Sequence, residues 1–305
     1  LMNAPRKPDG PPLRSGLPYS RIAHIAEDMV PFVALAEGLR DAGLSSPEIE
    51  AVDLDQGFLI LEDLGQEPVV ADGAPIPERY ACAIDALAML HSRARPSVLA
   101  TPKGPYSIPA YDSGALSIEV ELLTDWYIPR WGGIVPSSEK RVFVQAWHEL
   151  FAEVEAEPPT WVLRDYHSPN LIWLTDREGV ERVGIIDFQD AVMGPAAYDV
   201  VSLLQDARVT VPEALELQLI GRYAAARKQA DPTFDMGRFA RLYAILGSQR
   251  ATKILGIFAR LDKRDGKPQY IAHMPRIWTY LQRGLAHPAL ASVKRWVDLR
   301  VPQPS

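Results

Sequence analysis

Apolar residues recur at helical spacing from about Asp28, at Phe32, Leu35, Ala36 and Leu39, and Gly43 follows them. That spacing predicts a helix ended by a glycine. Val52 and Leu54 predict a short strand and Gly57 a turn; Phe58 to Leu61 is a fully apolar strand running into Glu62-Asp63-Leu64-Gly65. Helical spacing returns at Tyr80, Ile84, Leu87, Ala88 and His91, with His91 a packing residue at the helix end. Ile118, Leu122, Leu123 and Trp126 mark another helix. Val142, Phe143, Ala146, Trp147, Leu150 and Phe151 mark a third, for which Ser137 or Ser138 is the expected N-cap. The pattern then changes to short strands at 161–164, 170–174 and 183–187, with Asp176 and Gly179 turning the last two into a hairpin. Residues 5–18 hold five prolines and two glycines and read as a mobile loop.

The polar residues at the ends of those three strands carry the chemistry. Four residues separate Asp165 from Asn170, and Asp187 follows Asn170 by seventeen. A catalytic-loop Asp, a metal-binding Asn and a metal-binding Asp stand in that order in kinase-like phosphoryl transfer. Such transfer asks the protein for positioning and charge neutralisation more than for covalent chemistry. Asp165 suits the proton of an acceptor hydroxyl, while Asn170 and Asp187 offer oxygen ligands for Mg²⁺. Two carboxylates about 5 Å apart repel by roughly 3 kcal/mol at an effective dielectric of 20, a penalty a divalent cation removes. Singly, each of these residues is a common turn former. The ordered set at strand ends points to an ATP-dependent kinase with a small-molecule acceptor.

Three stretches widen the likeness: Asp165-Tyr166-His167-Ser168-Pro169-Asn170, Ile186-Asp187-Phe188, and Gly194-Pro195-Ala196-Ala197-Tyr198-Asp199. They resemble the Gly-Asp-Leu-His-x-x-Asn, Ile-Asp-Trp/Phe and Asp-Pro-x-Tyr-Asp motifs of the aminoglycoside phosphotransferase and choline kinase superfamily. Arg164 stands where the motif has Gly, and the Asp before Pro195 is missing. Further segments, among them Lys253-Ile254-Leu255-Gly256-Ile257-Phe258 and Arg264-Asp265-Gly266-Lys267, resemble the bacterial kinases that phosphorylate N-acetylmuramate and N-acetylglucosamine on the anomeric hydroxyl. The likeness runs from about Met2 to residue 290 and is densest between 161 and 285.

The resemblance implies an α+β, protein-kinase-like bilobal fold with a truncated, small β-containing N-lobe and a large, mainly helical C-lobe. Residues 1–65 would form the N-lobe with its hinge at 62–65, and 66–305 the catalytic and acceptor-binding lobe. Glu62, Asp63 and Leu64 would meet the adenine, with ATP and Mg²⁺ as cofactors. His167 and Asp199 would brace the catalytic loop, and Asp190 would contact metal or acceptor or simply end its strand. The opening Leu1-Met2-Asn3-Ala4-Pro5 resembles a strand that follows a nucleotide-covering hairpin, and that hairpin is not in the sequence given. The phosphate-gripping loop and a family lysine therefore have no assignment; Lys7 reads as a solvated loop charge, and an upstream segment or fusion partner stays open.

Composition narrows the reading. The 305 residues allow a sizeable core divided between two lobes. A formal net charge of −7 argues against general nucleic-acid binding. Cys82, the only cysteine, sits between Ala81 and Ala83 and reads as a small core residue. No apolar run approaches the roughly 20 residues that span a bilayer, and no signal peptide is evident, so the cytoplasm is the expected location. On a helical projection Arg250, Lys253, Arg260 and Arg264 share one face. Such a face suits an anionic acceptor and repels a polycationic one, or is simply solvated. Trp126, Tyr127, Trp131 and Trp278 stack on sugars or, more simply, fill the core. An aminoglycoside, choline or homoserine acceptor, and a catalytically weak nucleotide-binding pseudokinase, stand as the alternatives.

Overall fold

Met2–Asn3, Phe58–Leu61 and Ile49–Asp53 pair antiparallel, with Phe58–Leu61 in the middle of the sheet. A computed structural model describes residues 1–6 and 8–304, so the expectation for Lys7 lies outside the described residues. The chain groups into two compact units: Leu1–Ala110 with Pro159–Asp235, and Tyr111–Pro158 with Met236–Ser305.

The first unit carries the strands. Its sheet shows one face to the core: Leu59 is buried, while its neighbours Phe58 and Ile60 are 40% and 45% exposed. The apolar run at 58–61 is therefore a half-exposed strand, not one enclosed on both faces. Helix Val30–Asp41 buries Phe32, Leu35, Ala36 and Leu39, as their spacing predicts. Its first turn accepts help from Asp28, whose carboxylate takes the Val30 N–H at 2.9 Å. Gly43 follows it at φ +81°, a conformation that glycine adopts without strain. Helix Pro77–His91 places Tyr80, Ile84 and Leu87 in the core. At its end His91 is buried against the Tyr223 hydroxyl at 2.9 Å. Burial and the nearby Arg227 and Arg95 charges hold that imidazole at a pKa of about 3, so it packs as a neutral ring. Cys82 corrects its expectation, because it is only half-buried and its thiol meets the Gly179 carbonyl. The proline-rich stretch holds a small ribbon, Pro12–Arg14 paired with Leu17–Pro18.

The second unit is helical. Ser113–Leu122 is capped by Asp112, which accepts from Ala115 N, and runs on through a wider turn at Leu123–Tyr127. Helix Ser137–Glu155 buries Phe143, Trp147, Leu150 and Phe151, but its N-cap is Pro136 and no side chain caps it. The expected Ser137 or Ser138 cap is thus not formed: the fixed φ of Pro136 starts the helix one residue earlier. The 30-residue helix Met236–Asp265 lies against Ser113–Leu122 with almost no gap. A Cβ on Gly256 would sit 2.4 Å from the Leu122 carbonyl carbon, so only glycine permits that approach. Among the described residues no helix is long and apolar enough to cross a membrane.

Candidate active site

The loop that follows strand Thr160–Val162 is fixed from behind. Asp199, fully buried in helix Ala197–Leu204, accepts the Leu163 N–H at 2.7 Å and the Arg164 N–H at 3.0 Å. Arg164 holds φ +66°, a conformation that costs a non-glycine residue roughly 1–2 kcal/mol. Its buried guanidinium donates to the carbonyls of Ala23 at 2.8 Å, His24 at 3.4 Å and Asp190 at 3.3 Å. These charge-assisted bonds offset the strain. Beyond it the backbone closes on itself, with His167 N donating to the Asp165 carbonyl and Asn170 N to the His167 carbonyl, both at 2.9 Å.

Neighbouring loop residues are drawn inward. The Tyr166 hydroxyl donates to the Ala83 carbonyl at 2.9 Å, and burial lifts its pKa well above the usual phenol value. Ser168 donates its N–H and hydroxyl to buried Asp206 at 2.9 and 2.5 Å. Asp165 is left 42% exposed, with the ring of the buried His167 3.8 Å from its carboxylate. The result is a rigid loop presenting one carboxylate to solvent.

Asn170 and Asp187 come together because strands Leu171–Trp173 and Val183–Ile185 form the expected hairpin, pairing Leu171 with Ile185. The Ile186 N–H donates to the Asn170 carbonyl at 3.1 Å, one step past the ladder. The Asn170 amide then donates to the Asp165 carbonyl at 3.0 Å and to the Asp187 carboxylate at 3.2 Å. Asp187 departs the strand at φ +60°, and the ring of the next residue, Phe188, stacks on Phe32 at 4.9 Å. That stack holds the turn while Gln189 donates to Asp187 from its other side at 2.8 Å.

Asn170 and Asp187 together offer hard oxygen donors. Among the described residues no cluster of three His, Cys, Asp or Glu side chains forms a cage for a metal. Mg²⁺ is commonly held by one or two carboxylates plus substrate phosphates and water, so this donor set fits it. Asp190 accepts the Ala26 N–H at 2.8 Å, and burial raises its carboxyl pKa, with the Asp165 and Asp187 charges adding to the rise.

The residues expected at the hinge are placed as follows. Glu62 gives its N–H to the Glu48 carbonyl at 2.9 Å, and its carboxylate pairs with Arg177. Asp63 accepts the Gly65 N–H at 2.9 Å, while Leu64 is buried with a methyl 3.1 Å from where a Cβ on Gly184 would lie. The cations of the long helix lie in the second unit. Arg250 and Lys253 are buried, and Lys253 meets Glu119 at 3.3 Å. Arg260 is half-buried and Arg264 pairs with Asp265 at 2.7 Å. The residues that sequence reasoning missed are Arg164, Gln189 and Asp206. An arginine at a glycine position was the one available signal, because it announces a side chain with a job to offset its strain.

The sequence matches the model of the phosphotransferase enzyme family over residues 19–242. It is 40% identical to the N-acetylmuramate/N-acetylglucosamine kinase of Caulobacter vibrioides over 308 positions, covering 99% of this chain and 84% of that protein. It is 36% identical to the kinase of the same name from Pseudomonas aeruginosa, covering 88% of this chain and 77% of the relative. The structure superposes on a choline/ethanolamine kinase family protein from Mesorhizobium loti with a TM-score of 0.55 at 16% identity, covering 88% of this chain and 82% of that one.

Proposed function

This chain belongs to the phosphotransferase enzyme family, as a small-molecule kinase of α+β, protein-kinase-like fold, and we propose that its acceptor is N-acetylmuramate or N-acetylglucosamine. The observation that carries the acceptor is the 40% identity to a kinase of that name across 99% of the chain. The reaction moves the γ-phosphoryl group of ATP to the anomeric hydroxyl. The sugar oxygen forms a bond to phosphorus as the bond to the β–γ bridging oxygen breaks and ADP leaves. Asp165 takes the hydroxyl proton, a reading supported by the exposure of its carboxylate. Asn170 and Asp187 would hold Mg²⁺, which when bound neutralises phosphate charge and aligns the transferred group. His167 and Asp199 brace the loop.

In this reading residues 1–65 form a partial N-lobe and 62–65 the hinge to the rest of the chain. Glu62, Asp63 and Leu64 would meet the adenine, Glu62 through groups other than its N–H, which donates to the Glu48 carbonyl. We read Arg250 and Lys253 as holding the fold and not the acceptor, since both are buried and Lys253 meets Glu119 at 3.3 Å, whereas half-buried Arg260 keeps its expected place among the acceptor contacts. The test is ADP release with each sugar, with phosphorus NMR of the product. Turnover of both sugars to the anomeric phosphate is expected. Background rates with both, alongside turnover of choline or an aminoglycoside, would overturn the acceptor.

A further inference from the structure

We propose that the cavity between residues 20–31 and residues 106–109 is the subsite for the acceptor's sugar ring, with Gln189 joining it to the transfer site. This rests on the amino-sugar kinase reading and adds where the acceptor sits. The cavity measures about 420 Å³, within the roughly 300–1,000 Å³ of small-molecule sites. Ser20, His24, Asp28, Tyr106, Ser107 and Gln189 bring hydroxyl, imidazole, carboxylate and amide groups to its walls, together with one aromatic ring. That mixture matches the alternating donors and acceptors of a pyranose, whose apolar face rests on a ring.

Charge separates a sugar from a phosphate here. Arg21, on the same wall, is already met by Asp9 at 2.6 Å and Glu27 at 3.6 Å. With Arg21 already paired, Asp28 leaves the wall negative, so a phosphoryl group would be repelled and neutral N-acetylglucosamine would fit better than the carboxylated N-acetylmuramate. Burial, with Asp190 and Asp28 close by, pushes the Tyr106 phenol up to about 12 and keeps it a hydrogen-bond donor.

Two contacts tie this cavity to the transfer residues. Gln189 lines the cavity while donating to the Asp187 carboxylate at 2.8 Å. Ala26, also in the wall, donates its N–H to Asp190 at 2.8 Å. Arg164, through its bonds to the Ala23 and His24 carbonyls, is the positioning residue that fixes this wall against the catalytic loop.

The experiment measures sugar KM and Mg·ATP KM for wild type, Ser107→Trp and His24→Gly. Ser107 is exposed, so tryptophan there blocks the cavity without entering the core. His24 sits at φ +54°, which glycine adopts, so its removal adds no strain and provides a second variant should the first fold poorly. The sugar KM is expected to rise about tenfold in Ser107→Trp and several-fold in His24→Gly, with Mg·ATP KM unchanged. Wild-type sugar KM in either variant that folds, beside an active parent, would remove the subsite and leave the kinase reading intact. A parent that turns over no sugar would remove both.

Discussion

The loop at 163–170 and the cationic stretch of the long helix both present polar residues at regular spacing, yet the fold uses them oppositely. At the loop, backbone bonds and the buried Asp199 and Asp206 hold the frame, and Asp165 is turned outward. On the helix, Arg250 and Lys253 are 4% and 8% exposed. Glu119 there accepts from Lys253 at 3.3 Å, the Gln249 amide at 2.8 Å and the Tyr111 hydroxyl at 2.5 Å. A helical projection tells which residues share a face and nothing about what lies opposite. Spacing across a hairpin is more informative, because strand pairing converts sequence distance into contact.

The largest expected effects lie where the loop and the hairpin converge. Asp187→Asn should remove Mg²⁺-dependent ATP binding in calorimetry and lower turnover by roughly 10²–10³-fold. Retained metal dependence would place the cation elsewhere. At the helix, Lys253→Met leaves Glu119 buried without its cation, so unfolding in urea should show a loss of roughly 3 kcal/mol. Sugar KM should stay at the parent value; a rise confined to the carboxylated sugar would return Lys253 to the acceptor site.

Arg164→Gly probes the boundary between holding and acting. Relief of roughly 1–2 kcal/mol of backbone strain offsets only part of the lost hydrogen bonding, worth about 1.5–3 kcal/mol for each bond to a charged group, so global stability should fall by roughly 2–4 kcal/mol. Residues 20–28 should also become more sensitive to proteolysis. Unchanged cleavage there would show that the Ala26–Asp190 bond suffices.

The smallest effect is at His91, whose folded pKa of about 3 lies below the unfolded 6.5. The unfolded chain takes up the proton first, so this group's contribution is complete above 6.5 and declines as pH falls toward 3. Between about pH 6.5 and pH 5.5 the parent should lose roughly 1 kcal/mol that His91→Phe does not lose. Equal losses in both would mean that another group governs the acid limb.

These contrasts also mark what the sequence made legible. Helix Val30–Asp41, the hairpin at 171–185 and the convergence of Asn170 with Asp187 all follow from local periodicity and turn residues. The wall at 20–28 did not, because its contacts with Arg164 and Asp190 join residues about 140 and 164 positions apart. Val142 shows the same limit at smaller scale: it fits the apolar periodicity of helix Ser137–Glu155 and is 57% exposed. The proline-rich stretch misled for another reason, since exposed edge strands tolerate proline and Pro12–Arg14 is one.

The central claim is that the loop acts and the helix holds, and the decisive measurement is turnover beside thermal stability in Asp165→Asn. The exchange keeps the size of an exposed side chain and removes its ability to take a proton. The account predicts kcat lower by roughly 10²–10⁴-fold, with melting temperature and Mg·ATP affinity unchanged. Near-parental kcat in a folded Asp165→Asn protein would contradict it.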